Sequence, residues 1–297
     1  MNLTGYLPAG WRMKTNNAGE RIVGTTLDDL IFRLEKHSDS PGLDAQVILA
    51  RVMKHPRSWV LAHPEAALTP KRAAALETLV AGLERGEPLP YILGQWEFFG
   101  LEFEVTPDVL IPRPETELLV ERAIGWLHVH PDFHHAADIG TGSGCIGIAM
   151  AAAIPDLQVM GSDISPAALK MAQHNAVKNG VEKRMEFVLC NLFPTDAEYD
   201  LIVANLPYIP TKTLQKLPIY GHEPTMALDG GADGLQLIRG LLTAAPDRLA
   251  AGGLLLIEIE ASEGASALSL ACDAFAEAEI HLHKDLAGRD RILEVQT

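Results

Sequence analysis

The stretch "ADIGTGSGCIG", residues 137–147, runs from an apolar segment through three alternate glycines into a second apolar segment. That order reads as a strand, a tight turn and a helix. Gly140, Gly142 and Gly144 take side chains away from the turn, where the backbone of a ligand must come close. The turn alone is not decisive, because any sharp strand-to-helix corner can be glycine-rich. A dinucleotide fold asks for G-x-G-x-x-G/A. Here the last of those positions is Cys145, which weakens a nicotinamide reading.

Downstream of this turn, apolar runs alternate with helical periodicity. Strands are expected at 136–139, 157–162, 185–189, 200–204 and 253–260, with helices between them. Such alternation predicts an α/β fold with a largely parallel sheet covered on both faces. The end of the chain, "EIHLHKDLAGRDRILEVQT", departs from the pattern. It reads as two strands joined only at Ala287-Gly288-Arg289, and strands joined so closely are antiparallel. A mostly parallel sheet finished by an antiparallel hairpin resembles the Rossmann-like class I methyltransferases.

Upstream the periodicity is helical from 26 to 90. Thr26 is the expected N-cap of a first helix with Leu27, Leu30, Ile31 and Leu34 on one face. A second helix places Leu43, Val47, Ala50, Val52 and Met53 together. A third starts at Thr69-Pro70 and stops at Gly86 and Pro88. Residues 1–25 read as a flexible tail and 26–90 as a small helical docking domain. Residues 91–114 read as a linker carrying a β-hairpin over 96–106, and 115–297 as the main domain.

The composition limits the partners. Of a formal net charge of −15, residues 1–90 carry +1 (11 Lys and Arg against 10 Asp and Glu) and the remainder −16. An acidic main domain repels a phosphate backbone, so broad binding of duplex nucleic acid is not expected. Cys145, Cys190 and Cys272 form no C-x-x-C pair, which fits a reducing compartment without disulfides or zinc. The longest nearly apolar run, 145–154, is too short to span a bilayer. No apolar core of a signal peptide occurs near the start. A cytoplasmic monomer without membrane contact is the expectation.

Four strand ends carry the chemistry. The first is the glycine turn, Gly140-Thr141-Gly142-Ser143-Gly144. "QVMGSD" ends the second strand on Asp163, whose carboxylate can accept both hydroxyls of a ribose, or alternatively cap the next helix. The third strand is followed by Asn191, able to pair with an adenine amine, and Leu192, which offers an apolar face. The fourth ends on "NLPY", residues 205–208. The Asn205 amide oxygen and a nearby backbone carbonyl can accept two hydrogen bonds from one –NH2 group. Pro207 stiffens the turn, and Tyr208 supplies a flat face for a planar amide or base. This set holds a planar nitrogen in place and contains no obvious base.

The motifs "IPRPETE" (111–117), "DIGTGSG" (138–144), "NLPYI" (205–209) and "HEPTMALDGGADGL" (222–235) resemble the bacterial release-factor glutamine methyltransferases. The resemblance runs from about Leu27 to the C-terminus. It implies S-adenosyl-L-methionine (S-adenosylmethionine) as cofactor, held by Gly140 to Gly144 and Asp163 with Asn205 close to the methyl donor; the strand-end reading adds Asn191 and Leu192 at the adenine. It implies that Asn205, Leu206, Pro207 and Tyr208 receive the glutamine of the GGQ loop of class 1 peptide chain release factors, and that the N-terminal helices help hold that substrate. Two departures stand out: Leu192 occupies a place where some members have Trp, and Leu206 replaces the first proline of the usual NPPY. NLPY also occurs in ribosomal RNA adenine dimethyltransferases, which are not similar in "IPRPETE" or "HEPTMALDGG". Methylation of a ribosomal protein, methylation of RNA adenine and a non-catalytic nucleotide-binding scaffold are the alternatives.

Other candidates have plainer readings. His128, His130, His134 and His135 suggest metal but fall in a Pro-containing connection read as a solvated loop. Glu258 and Glu260 imitate an acid/base pair on one strand face. Cys145 lacks a base and is expected to pack on the sheet. Arg113, Glu115 and Glu117 either close over the cofactor or hold the linker to its helix.

Overall fold

A computed structural model describes residues 21–194 and 197–297. The chain divides into two compact units that meet at Leu93/Gly94.

The first unit contains helices α1 (Val23–Leu34), α2 (Pro41–Met53), α3 (Arg57–Ala62), α4 (Pro70–Glu84) and α5 (Leu89–Leu93). Residues 1–20 of the expected tail lie outside the described residues. Its last residues are structured: Ile22 bridges Ala67, and Val23 donates from its backbone N–H to the Ala66 carbonyl at 2.8 Å. This anchorage starts α1 three residues before the expected cap. Thr26 is therefore inside the helix, and its hydroxyl donates back to the Ile22 carbonyl at 2.8 Å. The buried stripe of α2 is Ala45, Ile48, Leu49, Val52 and Met53, whereas Leu43 is exposed. The expected face mixed two sides of that helix. At α4 the expected ends hold: the Thr69 hydroxyl accepts from the Arg72 N–H, and Gly86 has φ +87° just past the helix.

The second unit begins with a hairpin of β1 (Gln95–Phe98) and β2 (Leu101–Glu104), followed by α6 (Glu117–Val129). Then come β3 (His135–Ile139), α7 (Cys145–Ala153), β4 (Gln158–Asp163), α8 (Pro166–Lys178), β5 (Met185–Leu189) and β6 (Tyr199–Ala204). The remainder is α9 (Thr211–Leu214), α10 (Gln236–Ala244), β7 (Leu249–Glu258), α11 (Gly264–Ala274), β8 (Glu279–Lys284) and β9 (Asp290–Gln296). One seven-stranded sheet has the order β5-β4-β3-β6-β7-β9-β8. Strands β3 to β7 are parallel where they pair; β9 runs antiparallel to both β7 and β8. The sheet is buried on both faces, with Ile148 and Met150 of α7 on one side and Ile238 and Leu241 of α10 on the other. Each such side chain contributes about 1.5–3 kcal/mol of burial.

The hairpin read as a linker belongs to this unit. Phe98 and Phe103 are buried in its core and meet edge to face, with ring centroids 6.1 Å apart. Asn175 of α8, fully buried, joins the hairpin to the glycine turn. Its Oδ1 accepts from the Glu104 N–H at 2.8 Å, and its Nδ2 donates to the carbonyls of Glu104 at 3.0 Å and Ser143 at 2.9 Å. Among the described residues, no helix is long and apolar enough to cross a membrane.

Candidate active site

The glycine turn sits where the chain order of the sheet reverses: from β3 the chain first builds outward through β4 and β5, then returns to β6 on the other side. A crevice opens beyond the carboxyl ends of strands at such a point. A cleft of about 310 Å³ lies there, within the range of small-molecule sites.

Asp138, the last-but-one residue of β3, builds the turn. It is fully buried, and its Oδ2 accepts from the Thr141 hydroxyl at 2.6 Å and the Gly147 N–H at 3.0 Å. Gly144 offers no side chain to cap α7, so Asp138 satisfies one of the helix's first N–H groups instead. Burial and the nearby charge of Asp163 push its carboxyl up to about 6. The three turn glycines serve different ends. Gly142 has φ +56°, and a Cβ there meets no protein atom closer than 3.9 Å, so a side chain would fill the cleft. A Cβ on Gly140 would come within 2.8 Å of Leu206. Gly144 does not line the cleft; with φ +82°, its Cβ would meet Ile148 at 2.7 Å and Ala172 at 3.1 Å. Helix packing by itself requires glycine at this position.

Asp163 lies at the cleft wall. Its Oδ2 accepts from the Gly142 N–H at 3.0 Å and its Oδ1 from the Ser165 N–H at 2.8 Å. Helix α8 is capped by the Ser165 side chain rather than by Asp163, so both carboxylate oxygens keep lone pairs for a ligand. Asn191 and Leu192 complete this wall. Leu192 holds φ +65°, and its carbonyl accepts from the Ser162 hydroxyl at 2.5 Å. A branched side chain in that region is strained and is held there by its surroundings.

Asn205, Leu206 and Pro207 line the same cleft; Tyr208 does not. The Asn205 Nδ2 donates to the Thr116 hydroxyl at 3.0 Å. The Tyr208 hydroxyl donates to Glu258 Oε1 at 3.2 Å, and burial raises its pKa. Thus Gly140, Thr141, Gly142, Ser143, Asp163, Asn191, Leu192, Asn205, Leu206 and Pro207 are brought together, while Gly144 and Tyr208 stand behind them.

Several other residues take part. Glu223 is almost fully buried; it accepts from the Ile111 N–H at 3.1 Å and pairs with Arg113, tying "IPRPETE" to "HEPT". Glu117 does not face the cleft and accepts from the Phe99 N–H at 2.9 Å. Thr116 and Glu223 lay within quoted motifs, but nothing in the spacing announced their partners. Glu258 and Glu260 are not a pair. Strand β7 ends at Glu258, which is buried, whereas Glu260 is half-buried and accepts from the Ser262 N–H at 2.6 Å. Cys145 is buried, and its thiol is pushed up to about 12, unsuited to nucleophilic attack. His128 lies in α6 and His135 in β3, and His130 stacks on Trp126. Among the described residues no group of three or more His, Cys, Asp or Glu is placed to hold a metal.

A parallel sheet closed by an inserted antiparallel strand, with a glycine turn and an acidic strand end facing one cleft, defines a class I methyltransferase. Residues 25–94 match the family model of the PrmC N-terminal domain, and residues 124–216 that of ribosomal protein L11 methyltransferase (PrmA). The chain is 39% identical to the release factor glutamine methyltransferase of Geobacter sulfurreducens, covering 88% of this chain and 92% of that one. It is 40% identical to the same enzyme of Moorella thermoacetica, covering 85% and 90%. The solved hMettl16 catalytic domain, in complex with MAT2A 3'UTR hairpin 6, is alike at a TM-score of 0.50 with 14% identity, covering 77% of this chain and 81% of that one. The last likeness is of fold alone. This chain belongs to the release factor glutamine methyltransferase family.

Proposed function

We infer that this protein transfers a methyl group from S-adenosylmethionine to the side-chain amide nitrogen of a glutamine in a class 1 peptide chain release factor, at its GGQ loop. It acts as a cytoplasmic monomer in this reading. The cleft fits the cofactor: Gly142 leaves room where a Cβ would intrude, and Asp163 presents lone pairs for ribose hydroxyls. Thr141, Ser143, Asn191 and Leu192 complete its walls. When bound, the cofactor supplies an electrophilic methyl on a sulfonium.

The observation that carries the reading is the place of Asn205. Its amide nitrogen is committed to Thr116, and it lies in the same cleft as the glycine turn. Its amide oxygen and the Leu206 carbonyl would accept the two hydrogens of the substrate –NH2, and Leu206 supplies that carbonyl as well as proline does. An amide nitrogen is a poor nucleophile because its lone pair is delocalised. Orientation and exclusion of water must therefore supply the rate, and a well-placed pair can gain about 7–11 kcal/mol. Methylation makes the two N–H hydrogens far more acidic, and one of them leaves as a proton to give the neutral N-methyl amide. Labelled cofactor offered with release factor, ribosomal protein and RNA tests the reading. Label on release factor is the expected result; label on RNA alone, or on none of the three, would refute it.

A further inference from the structure

Leu192 holds a backbone conformation that leucine rarely adopts, and its contacts show what keeps it there. Strand β5 ends at Leu189, and its tie to β4 reaches one residue further, where the Cys190 N–H donates to the Asp163 carbonyl at 3.2 Å. Two residues on, the chain turns through Leu192 at φ +65°. That is the small left-handed region, which glycine enters freely and leucine only under strain. The Leu192 side chain packs in the apolar layer on the α10 side of the sheet, beside Gly240. Its carbonyl accepts from the Ser162 hydroxyl at 2.5 Å. The Cys190 thiol, a weak donor, reaches the same oxygen at 3.7 Å.

Ser162 is 1% exposed and stands one residue before Asp163 at the end of β4. Its two polar groups go to different walls of the cleft. The backbone carbonyl accepts from the Thr141 N–H of the glycine turn at 2.8 Å, while the hydroxyl holds Leu192. A carbonyl has no proton to give, so the single proton of Ser162 is committed to Leu192. We propose that Ser162 is a positioning residue for the adenosine part of S-adenosylmethionine: its hydroxyl holds Leu192 in the left-handed conformation and keeps the Asn191-Leu192 turn formed before the ligand arrives. The φ angle of Leu192 sets the Asn191–Leu192 peptide against the Leu192 carbonyl, and Ser162 pins that carbonyl. Without the pin, strain favours a negative φ, which re-aims Asn191. Only a fraction of molecules then has this wall in place, and apparent affinity falls by that fraction while the bound state is unchanged. Asn205 follows a different strand, β6, so the rate at saturating cofactor is preserved.

This inference rests on the cofactor site proposed above and not on the methyl acceptor, so the two fail separately. The full chain and its S162A, S162T, L192G and S162A/L192G variants are titrated by calorimetry with S-adenosylmethionine and with methylthioadenosine, which lacks the amino-acid end. S162A is expected to weaken both ligands about tenfold, with kcat on release factor at saturating cofactor within about twofold of the wild type. S162T, which keeps the hydroxyl, recovers affinity to within about threefold. Glycine takes φ +65° without strain, so in the L192G background the S162A change costs less than about threefold. L192V, whose β-branched side chain resists that conformation, carries the test where S162A does not fold, and loses about tenfold with Ser162 intact. Wild-type affinity in S162A or L192V, an equal S162A loss with and without L192G, or a loss confined to S-adenosylmethionine overturns the positioning role. A wild type that binds the cofactor but leaves release factor unmethylated refutes the function, while the titrations still decide the role of Ser162.

Discussion

At the scale of the residue, the proposed reading puts the most chemistry on Asn205, and its loss would separate catalysis from binding. In the proposed reading Asn205→Ala removes an acceptor for the substrate nitrogen, whereas the glycine turn and Asp163 remain. Turnover should fall about 100-fold or more, with cofactor affinity changed by less than about threefold. Steady-state kinetics beside calorimetry read both, and equal losses would assign Asn205 to cofactor binding alone. A second residue bears on pH. Glu263 is buried, its Oε2 has no partner, and burial with the charges of Glu260 and Asp233 pushes it from 4.5 up to about 7. A carboxyl whose folded pKa lies above its unfolded value lends its full stability below pH 4.5 and loses it as pH rises through 7. Glu263→Gln should therefore match the wild type at pH 4.5 and melt higher, by about 3 °C or more, at pH 8. Parallel melting curves across that range would contradict the assignment. Some slope will persist, because Asp138 is raised to about 6 in the same sense.

At the scale of the element, the glycine turn is held in place by parts distant in sequence. Asn175 latches the Ser143 carbonyl to the backbone of β2 through three hydrogen bonds. Asn175→Ala orphans buried backbone groups and should cost about 2–4 kcal/mol, read as a lower denaturant midpoint. Cofactor affinity should weaken as well, since Ser143 loses its anchor. An unchanged midpoint would show the latch to be dispensable. The strands were legible because apolar runs alternate with helical ones, and strand ends therefore located Asp163, Asn191 and Asn205. The α1 start was not legible: its signal is a bridge between Ile22 and Ala67, which no local pattern encodes. The packing role of Gly144 was not legible for a related cause. Its neighbour Ala172 is supplied by α8, and a close approach between helices leaves no mark in a glycine count. Likewise "IPRPETE" advertised a motif, but the partner of Thr116 lies 89 residues away at Asn205.

At the scale of the whole molecule, the second unit places every strand end with a proposed role around one crevice at the reversal of the sheet. The charge division, +1 before residue 91 and −16 after it, disfavours a polyanionic substrate at the cleft. A short protein loop presenting an uncharged carboxamide suits such a surface. The most direct measurement of the central claim is tandem mass spectrometry of purified release factor after incubation with this protein and S-adenosylmethionine. The account predicts one added methyl, located on the side-chain amide nitrogen of a single glutamine. A methyl on any other residue, or an unmodified release factor under conditions in which the protein binds the cofactor, would contradict it.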